Sequence, residues 1–269
     1  MENEHILVLG ATGASGVAFI EAVEGLTHKP KLTLYIRPGS RSKLPASTAA
    51  SKNNNNNNNK TSIRIIEGQL DDRMVMQKAM SASASDDGQS FPPVSVVVSF
   101  LGSYVSFKAI FTRDKSHPIG DAFQKAIMPA MKEEGISRIL ALSTPSALPH
   151  PSEQGGGGGG KTNTMPWKWW LYTCMPILLA PQGNAEMKAI ARAVIDAGSD
   201  DSNPNPIDWT VFRVPHLTQG DPHAKVIAGL LDKDYAGGID LSRGSLVRWV
   251  LREIEDRRFL RQLPMLANP

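Results

Sequence analysis

The chain has 269 residues, a hydrophobic fraction of 41% and a formal net charge of +3, from 29 Lys and Arg against 26 Asp and Glu. That length allows one large α/β domain or two small ones, and the apolar fraction can bury a substantial core. The mild charge, with no basic stripe interleaved with aromatics, argues against nucleic-acid binding, and the single cysteine, Cys174, excludes an intrachain disulfide framework and fits a reducing compartment.

The first predicted element is a buried strand at Ile6–Leu9. It runs into Gly10-Ala-Thr-Gly13-Ala-Ser-Gly16, three glycines at a spacing of three, and then into a helical pattern from about Ala14 to Leu26. Strand, tight turn and helix N-terminus form the arrangement that binds a dinucleotide. Gly10 permits the turn without a Cβ clash. Gly13 lets backbone N–H groups approach a pyrophosphate, and Gly16 lets the helix pack close to the strand. The helix N-terminus supplies orphan donors and partial positive charge. The competing reading is a glycine turn with no ligand.

A second strand, Lys31–Ile36, leads to Arg37, Ser40 and Arg41. An acidic residue at this strand end would select NAD through the ribose 2′-OH; a basic one accommodates the 2′-phosphate of NADP. Arg37 with no local carboxylate reads as NADP, with Ser40 and Arg41 completing a charge-assisted cradle; the alternative is a solvated basic loop. The third strand, Ser62–Glu67, is followed by Asp71 and Asp72, a place to meet the adenine or an ordinary loop, and by a helix from Arg73 to about Ala82. The fourth strand, Val94–Phe100, ends in Phe100-Leu-Gly102-Ser103, which either lines the cofactor or is an ordinary loop. A helix from about Ala122 to Glu134 is expected to be capped by Asp121 and stopped by Gly135. The fifth strand is Arg138–Leu142, the next helix about Asn184–Ala197, the sixth strand Asp208–Phe212, and the last helix Gly244–Asp256 with Ser242 as cap.

Strands alternating with helices predict an α/β fold, a Rossmann-type doubly wound parallel sheet in a single NAD(P)-binding domain over 1–269. A small C-terminal capping region on the substrate side is expected from about 165–183 and 214–240. A seven-Asn tract, Asn53–Asn59, and a six-Gly tract, Gly155–Gly160, place disordered loops at about 45–61 and 150–163. The chain opens almost directly on a core strand, so no signal peptide is expected. The most apolar run, Trp169–Pro181, is shorter than the ~18 residues of a membrane span and is interrupted by Pro176. A cytoplasmic protein is expected.

Several segments together resemble the atypical short-chain dehydrogenases/reductases with NmrA-like NAD(P)-binding domains. These are the glycine turn, Arg37, Glu67-Gly-Gln-Leu-Asp71-Asp72, Gly135-Ile-Ser-Arg-Ile-Leu-Ala-Leu-Ser143-Thr144, Asp208-Trp-Thr-Val-Phe-Arg213-Val-Pro215 and Ile239-Asp-Leu-Ser242-Arg243. The resemblance implies that Gly10, Thr12, Gly13, Ser15 and Gly16 cradle the cofactor phosphates and that Arg37 meets the 2′-phosphate. Ser143 would lie near the nicotinamide, and the segment beginning at Arg213 would turn the chain toward the substrate while contributing to the cofactor site.

Many members of that family use a Tyr-x-x-x-Lys pair after the fifth strand, the tyrosine as proton donor and the lysine lowering its pKa, with a serine polarising the carbonyl. Ser143 and Thr144 stand in the serine's place, but Pro149-His150-Pro151 and the glycine tract follow where the pair belongs. Tyr104, with Lys108 at the right spacing, follows the fourth strand instead. Tyr172, with Lys168 before it, sits in the tryptophan-rich Met165–Tyr172 segment, which reads either as packing or as an aromatic wall for a flat apolar substrate. Both tyrosines are candidate proton donors, and Lys188 is a further catalytic candidate. His150 and His216 lack metal-ligand spacing, so no metal is expected, and there is no Gly-x-Ser-x-Gly elbow.

The leading expectation is an NADP-dependent oxidoreductase acting on a hydrophobic carbonyl or alcohol, in secondary metabolism. A non-redox isomerase, dehydratase or cyclase on the same scaffold and a non-catalytic NAD(P)-sensing regulator are the alternatives. The last helices offer a face for a homodimer.

Overall fold

The computed structural model describes residues 1–2, 4–49, 61–84, 90–102, 116–146, 169, 181–200 and 205–269. Strands with nearly continuous apolar sequence come together in one sheet: β1 (His5–Leu9), β2 (Lys31–Ile36), β3 (Ile63–Glu67), β6 (Val96–Ser99), β7 (Arg138–Ser143), β8 (Asp208–Arg213), β10 (Ile227–Gly229) and β12 (Met265–Ala267). Their order is β10-β12-β8-β7-β6-β1-β2-β3. Every neighbouring pair is parallel except β10 on β12 at the edge. Two small sheets pair β4 (Ser83–Ala84) with β5 (Ser90–Phe91) and β9 (His216–Thr218) with β11 (Asp240–Ser242).

Every residue of β1 and β7 is buried, as strands covered on both faces require. Helices α1 (Ala14–Glu24) and α7 (Arg243–Asp256) pack on each other; α2 (Ala46–Ala49) is a single turn. Helices α3 (Arg73–Met80), α4 (Pro118–Ala122), α5 (Met128–Glu133) and α6 (Pro181–Gly198) form a second packed group. The sheet grows from β1 to β2 and β3 in one direction, then from β6 outward in the other. Right-handed crossovers therefore put α1 and α3 on opposite faces.

The six expected strands form, with ends shifted by a residue or two. The helix expected from about Ala122 begins earlier, at Pro118, and passes through a π-helical turn at Phe123–Ile127 before α5. Pro129 lacks the N–H that would close an ordinary turn there, and the wider turn accommodates it. Asp121 is not its cap: the carboxylate of Glu186, on α6, accepts from Ile119 N (3.1 Å) and Gly120 N (2.9 Å). Asp121 instead faces His117 and Lys125. Gly135 ends α5 with φ +68°, and Ser242 caps α7 by accepting from Ser245 N at 3.1 Å.

The three-residue strands β9 to β12 are too short to show a period. Trp169 belongs to a satellite core with Leu231, Met265 and Ala267, edge-to-face with Tyr235 at 5.7 Å. Among the described residues, no helix is long and apolar enough to cross a membrane.

Candidate functional site

The switch in strand order falls between β1 and β6, and a ligand crevice belongs at the carboxyl ends of those strands. A cleft of about 400 Å³ lies there. β1 ends at Gly10, whose φ of +79° is costly for any residue with a side chain. A Cβ on Gly10 would come within 3.0 Å of Leu101 N, so the turn and the loop after β6 pack backbone to backbone. Gly13 N closes the turn onto Gly10 O at 3.0 Å, and Val17 N starts α1 on Gly13 O at 2.9 Å. Thr12, Gly13, Ala14 and Ser15 line the cleft.

Gly16 does not line it. A Cβ there would strike the Gly10 carbonyl oxygen and lie 2.7 Å from Ala11 Cα, so this glycine seats the helix under the turn. No side chain caps α1. Its first N–H groups are left facing the cleft, which is the arrangement an anion requires.

Arg37 lines one end of the cleft and is exposed. Ser40 and Arg41 do not line it: Ser40 is buried in a turn closed by Ser40 N on Arg37 O (3.0 Å), and Arg41 points to solvent. The sequence shows no local carboxylate here, but the sheet supplies one. Glu67 ends β3 opposite Ile36 and accepts from Gly39 N at 3.3 Å. Asp71 is exposed and outside the cleft, and Asp72 caps α3 through Val75 N at 3.1 Å; Leu70 occupies the wall instead. Tyr35 stands beside it and donates to Gln69 O at 2.7 Å. Burial, reinforced by Asp72 and Asp71, pushes its pKa up to about 12, so it is a neutral wall.

The opposite lip comes from Phe100, Leu101 and Gly102 after β6, Ile119 on α4, Leu142 on β7, Leu217 on β9, and Arg243. Arg243 was not expected at the site from its position in the chain. It opens α7, whose start is anchored by Ser242: its Oγ donates to Asp221 O (2.7 Å) and its N–H to Asn268 Oδ1 (2.8 Å). The readable signal was a basic residue directly after a capping serine. Among the described residues, two arginines and no carboxylate line the cleft, so it favours a ligand with anionic groups.

The remaining expected residues are placed as follows. Ser143, expected to polarise a carbonyl, is fully buried, and its hydroxyl donates to Met187 O at 3.2 Å; its neighbour Leu142 faces the cleft instead. Thr144 contacts Ser146 Oγ (2.9 Å), which donates to Asn184 Oδ1 (2.6 Å). Arg213 is buried, opposite Ser143 in the sheet, and does not line the cleft. The two residues are paired across β7 and β8 inside the sheet. Lys188 is partly exposed on α6 and outside the cleft, and His216 is exposed beside Asp240 (2.9 Å). Tyr104, Lys108, His150, Lys168, Tyr172, Cys174 and both homopolymer tracts lie outside the described residues. Among the described residues, no three His, Cys, Asp or Glu side chains group as metal ligands.

Solved structures share this architecture. A short-chain dehydrogenase/reductase from Veillonella parvula, in complex with NADP, matches with 17% identity and a TM-score of 0.60 over 99% of this chain and 95% of that one. An oxidoreductase from Lactococcus lactis matches with 13% identity and a TM-score of 0.60 over 98% of this chain and 91% of that one. A protein assigned as an NAD-dependent epimerase/dehydratase from Bacillus halodurans matches with 13% identity and a TM-score of 0.61 over 99% and 95%. At these identities the likeness is one of fold, the Rossmann-type fold of NAD(P)-binding proteins. No protein-family model and no curated protein matches the sequence.

Proposed function

We propose that the chain is an NADP-dependent oxidoreductase acting on an apolar carbonyl or alcohol. The lining of the cleft carries this reading. An uncapped helix N-terminus and a close-packed glycine turn lie between Arg37 and Arg243, and the rest of the wall is apolar. A dinucleotide presents phosphates and flat rings, and this lining meets both kinds of surface. Backbone N–H groups at Thr12, Ala14 and Ser15 hold the pyrophosphate. Arg37 meets the 2′-phosphate through charge-assisted hydrogen bonds. Leu101, Ile119, Leu142 and Leu217 exclude water from the inner end, where the substrate sits. When bound, the nicotinamide supplies or accepts the hydride. Among the described lining residues, hydroxyls come from Thr12 and Ser15 at the glycine turn and from Tyr35, whose hydroxyl is held on Gln69 O. In this reading the proton donor is Tyr104 or Tyr172.

Fluorescence titration with NADPH and NADH tests the first half. Tight NADPH binding with weaker NADH binding is expected; binding of neither would remove the proposal. A screen of apolar ketones and aldehydes then tests the second half. The burial of the Ser143 hydroxyl against Met187 favours a second reading, a non-redox enzyme of the isomerase or dehydratase kind. That reading predicts dinucleotide binding without net oxidation of NADPH by any carbonyl.

A further inference from the structure

A second cavity, of about 700 Å³, shares no lining residue with the dinucleotide cleft. One wall is a face of α7, where Arg248, Trp249, Arg252 and Asp256 recur at helical spacing. The segment 222–228 forms the other wall, and Arg258 and Phe259 close the end.

Its charge is one-sided. Lys225, Arg248, Arg252 and Arg258 line it and are all exposed. Arg248 meets His223 Nε2 at 3.4 Å, and among the described residues Lys225, Arg252 and Arg258 make no ion pair. Of the two acidic residues in the wall, Glu253 is buried and neutralised from behind. Arg138 binds it at 3.1 Å, and it accepts from Arg258 N (3.2 Å) and Phe259 N (2.9 Å). Asp256 is the exposed acid in this wall, while Arg248 and Arg252 also border a neighbouring cavity lined by Glu2, Glu4 and Glu255. Arg248 and Arg252 are one helical turn apart, where like charges repel; an anion between them relieves that repulsion.

Two aromatic side chains, their rings tilted 45° to each other, form the floor. Trp249 packs against Phe259 (5.8 Å) and Phe212 (6.0 Å), and Trp249 and Phe259 both stay half-buried. Cationic side chains beside aromatic rings offer an aromatic anion charge-assisted hydrogen bonds at its charged groups and a ring face for its body. We propose that this groove is a second ligand site, for a flat aromatic anion carrying two or more negative charges, separate from the dinucleotide cleft.

Calorimetric titration of the full chain with 1-naphthyl phosphate, with and without excess NADPH, tests it. One binding event that NADPH leaves unchanged is expected. Arg252→Glu and Arg258→Glu, both at exposed positions, should each weaken it at least tenfold without altering NADPH affinity, and Trp249→Leu should weaken it as well. Absence of binding, displacement by NADPH, or wild-type affinity in both charge-reversal variants would overturn the proposal. Failure of NADPH itself to bind would count against the oxidoreductase reading alone, because the groove titration needs no cofactor.

Discussion

A guanidinium and a carboxylate compete at the outer end of the cleft. Arg37 lines it, and Glu67 reaches the same loop from the neighbouring strand, held on Gly39 N. A charge-assisted bond to a phosphate contributes roughly 1.5–3 kcal/mol. Arg37→Gln should therefore weaken NADPH roughly tenfold to a hundredfold and leave NADH nearly unchanged, as read by parallel titrations. Glu67→Gln removes an exposed negative charge from the loop that carries Arg37 and, under the NADP proposal, should shift preference modestly the other way. Equal losses for both cofactors in the Arg37 variant would place the arginine elsewhere on the dinucleotide. At the inner end, the Ser143 hydroxyl satisfies Met187 O. Ser143→Ala should lower stability by about 1 kcal/mol and leave cofactor affinity intact. Turnover that collapses while the melting temperature holds would return the hydroxyl to the chemistry.

Between elements, two buried carboxylates fasten helices that carry the site. Glu186 holds the first N–H groups of α4, and with them Ile119 at the cleft wall. Ala189 packs so closely on Gly120 that a Cβ there would overlap its side chain. Glu186→Ala should cost about 1–2 kcal/mol, as loss of a strong cap does, and should raise KM for substrate more than it changes NADPH binding. Glu253 ties α7 to β7 through Arg138, whose pKa burial lowers to about 10, leaving it charged. Removing one partner strands the other in the interior. Glu253→Ala should cost about 3–5 kcal/mol, measured by denaturant unfolding, whereas replacing both residues with apolar side chains should recover much of the loss. A double variant no more stable than Glu253→Ala would refute the buried-charge account.

For the molecule as a whole, acid stability depends on His5. Its ring donates from Nδ1 to Pro92 O (2.6 Å) and accepts at Nε2 from Thr33 Oγ1 (2.7 Å), which in turn accepts from Arg64 Nε (2.9 Å). Burial, with Arg64 and Lys31 nearby, pushes its pKa from 6.5 down to about 4. The unfolded imidazole protonates as pH falls through 6.5, while the folded one stays neutral until about 4. The contribution is therefore complete above pH 6.5 and is lost across the window from 6.5 to 4, up to about 3 kcal/mol. Unfolding free energies from pH 7 to 4 should show that slope, and His5→Asn should flatten it. Because His5 bridges β1, β2 and the loop before β6, this loss loosens the sheet that carries the glycine turn.

The sequence by itself determined the strand–turn–helix at Gly10 to Gly16, the alternating elements and the capping of α7 by Ser242. All of these are set by neighbours within one or two turns of chain. It also placed Arg37, since a strand end follows directly from the apolar run before it. Tertiary structure decided what depends on distant partners. Arg243 reaches the cleft because α7 packs beside α1, some 230 residues away. Glu67 joins Arg37 through strand pairing, and Glu186 replaces Asp121 as a helix cap from another helix. Which way Ser143 and Arg213 face was likewise fixed by the sheet: in a buried parallel strand both faces are apolar, so alternation leaves no local mark of which side meets the ligand.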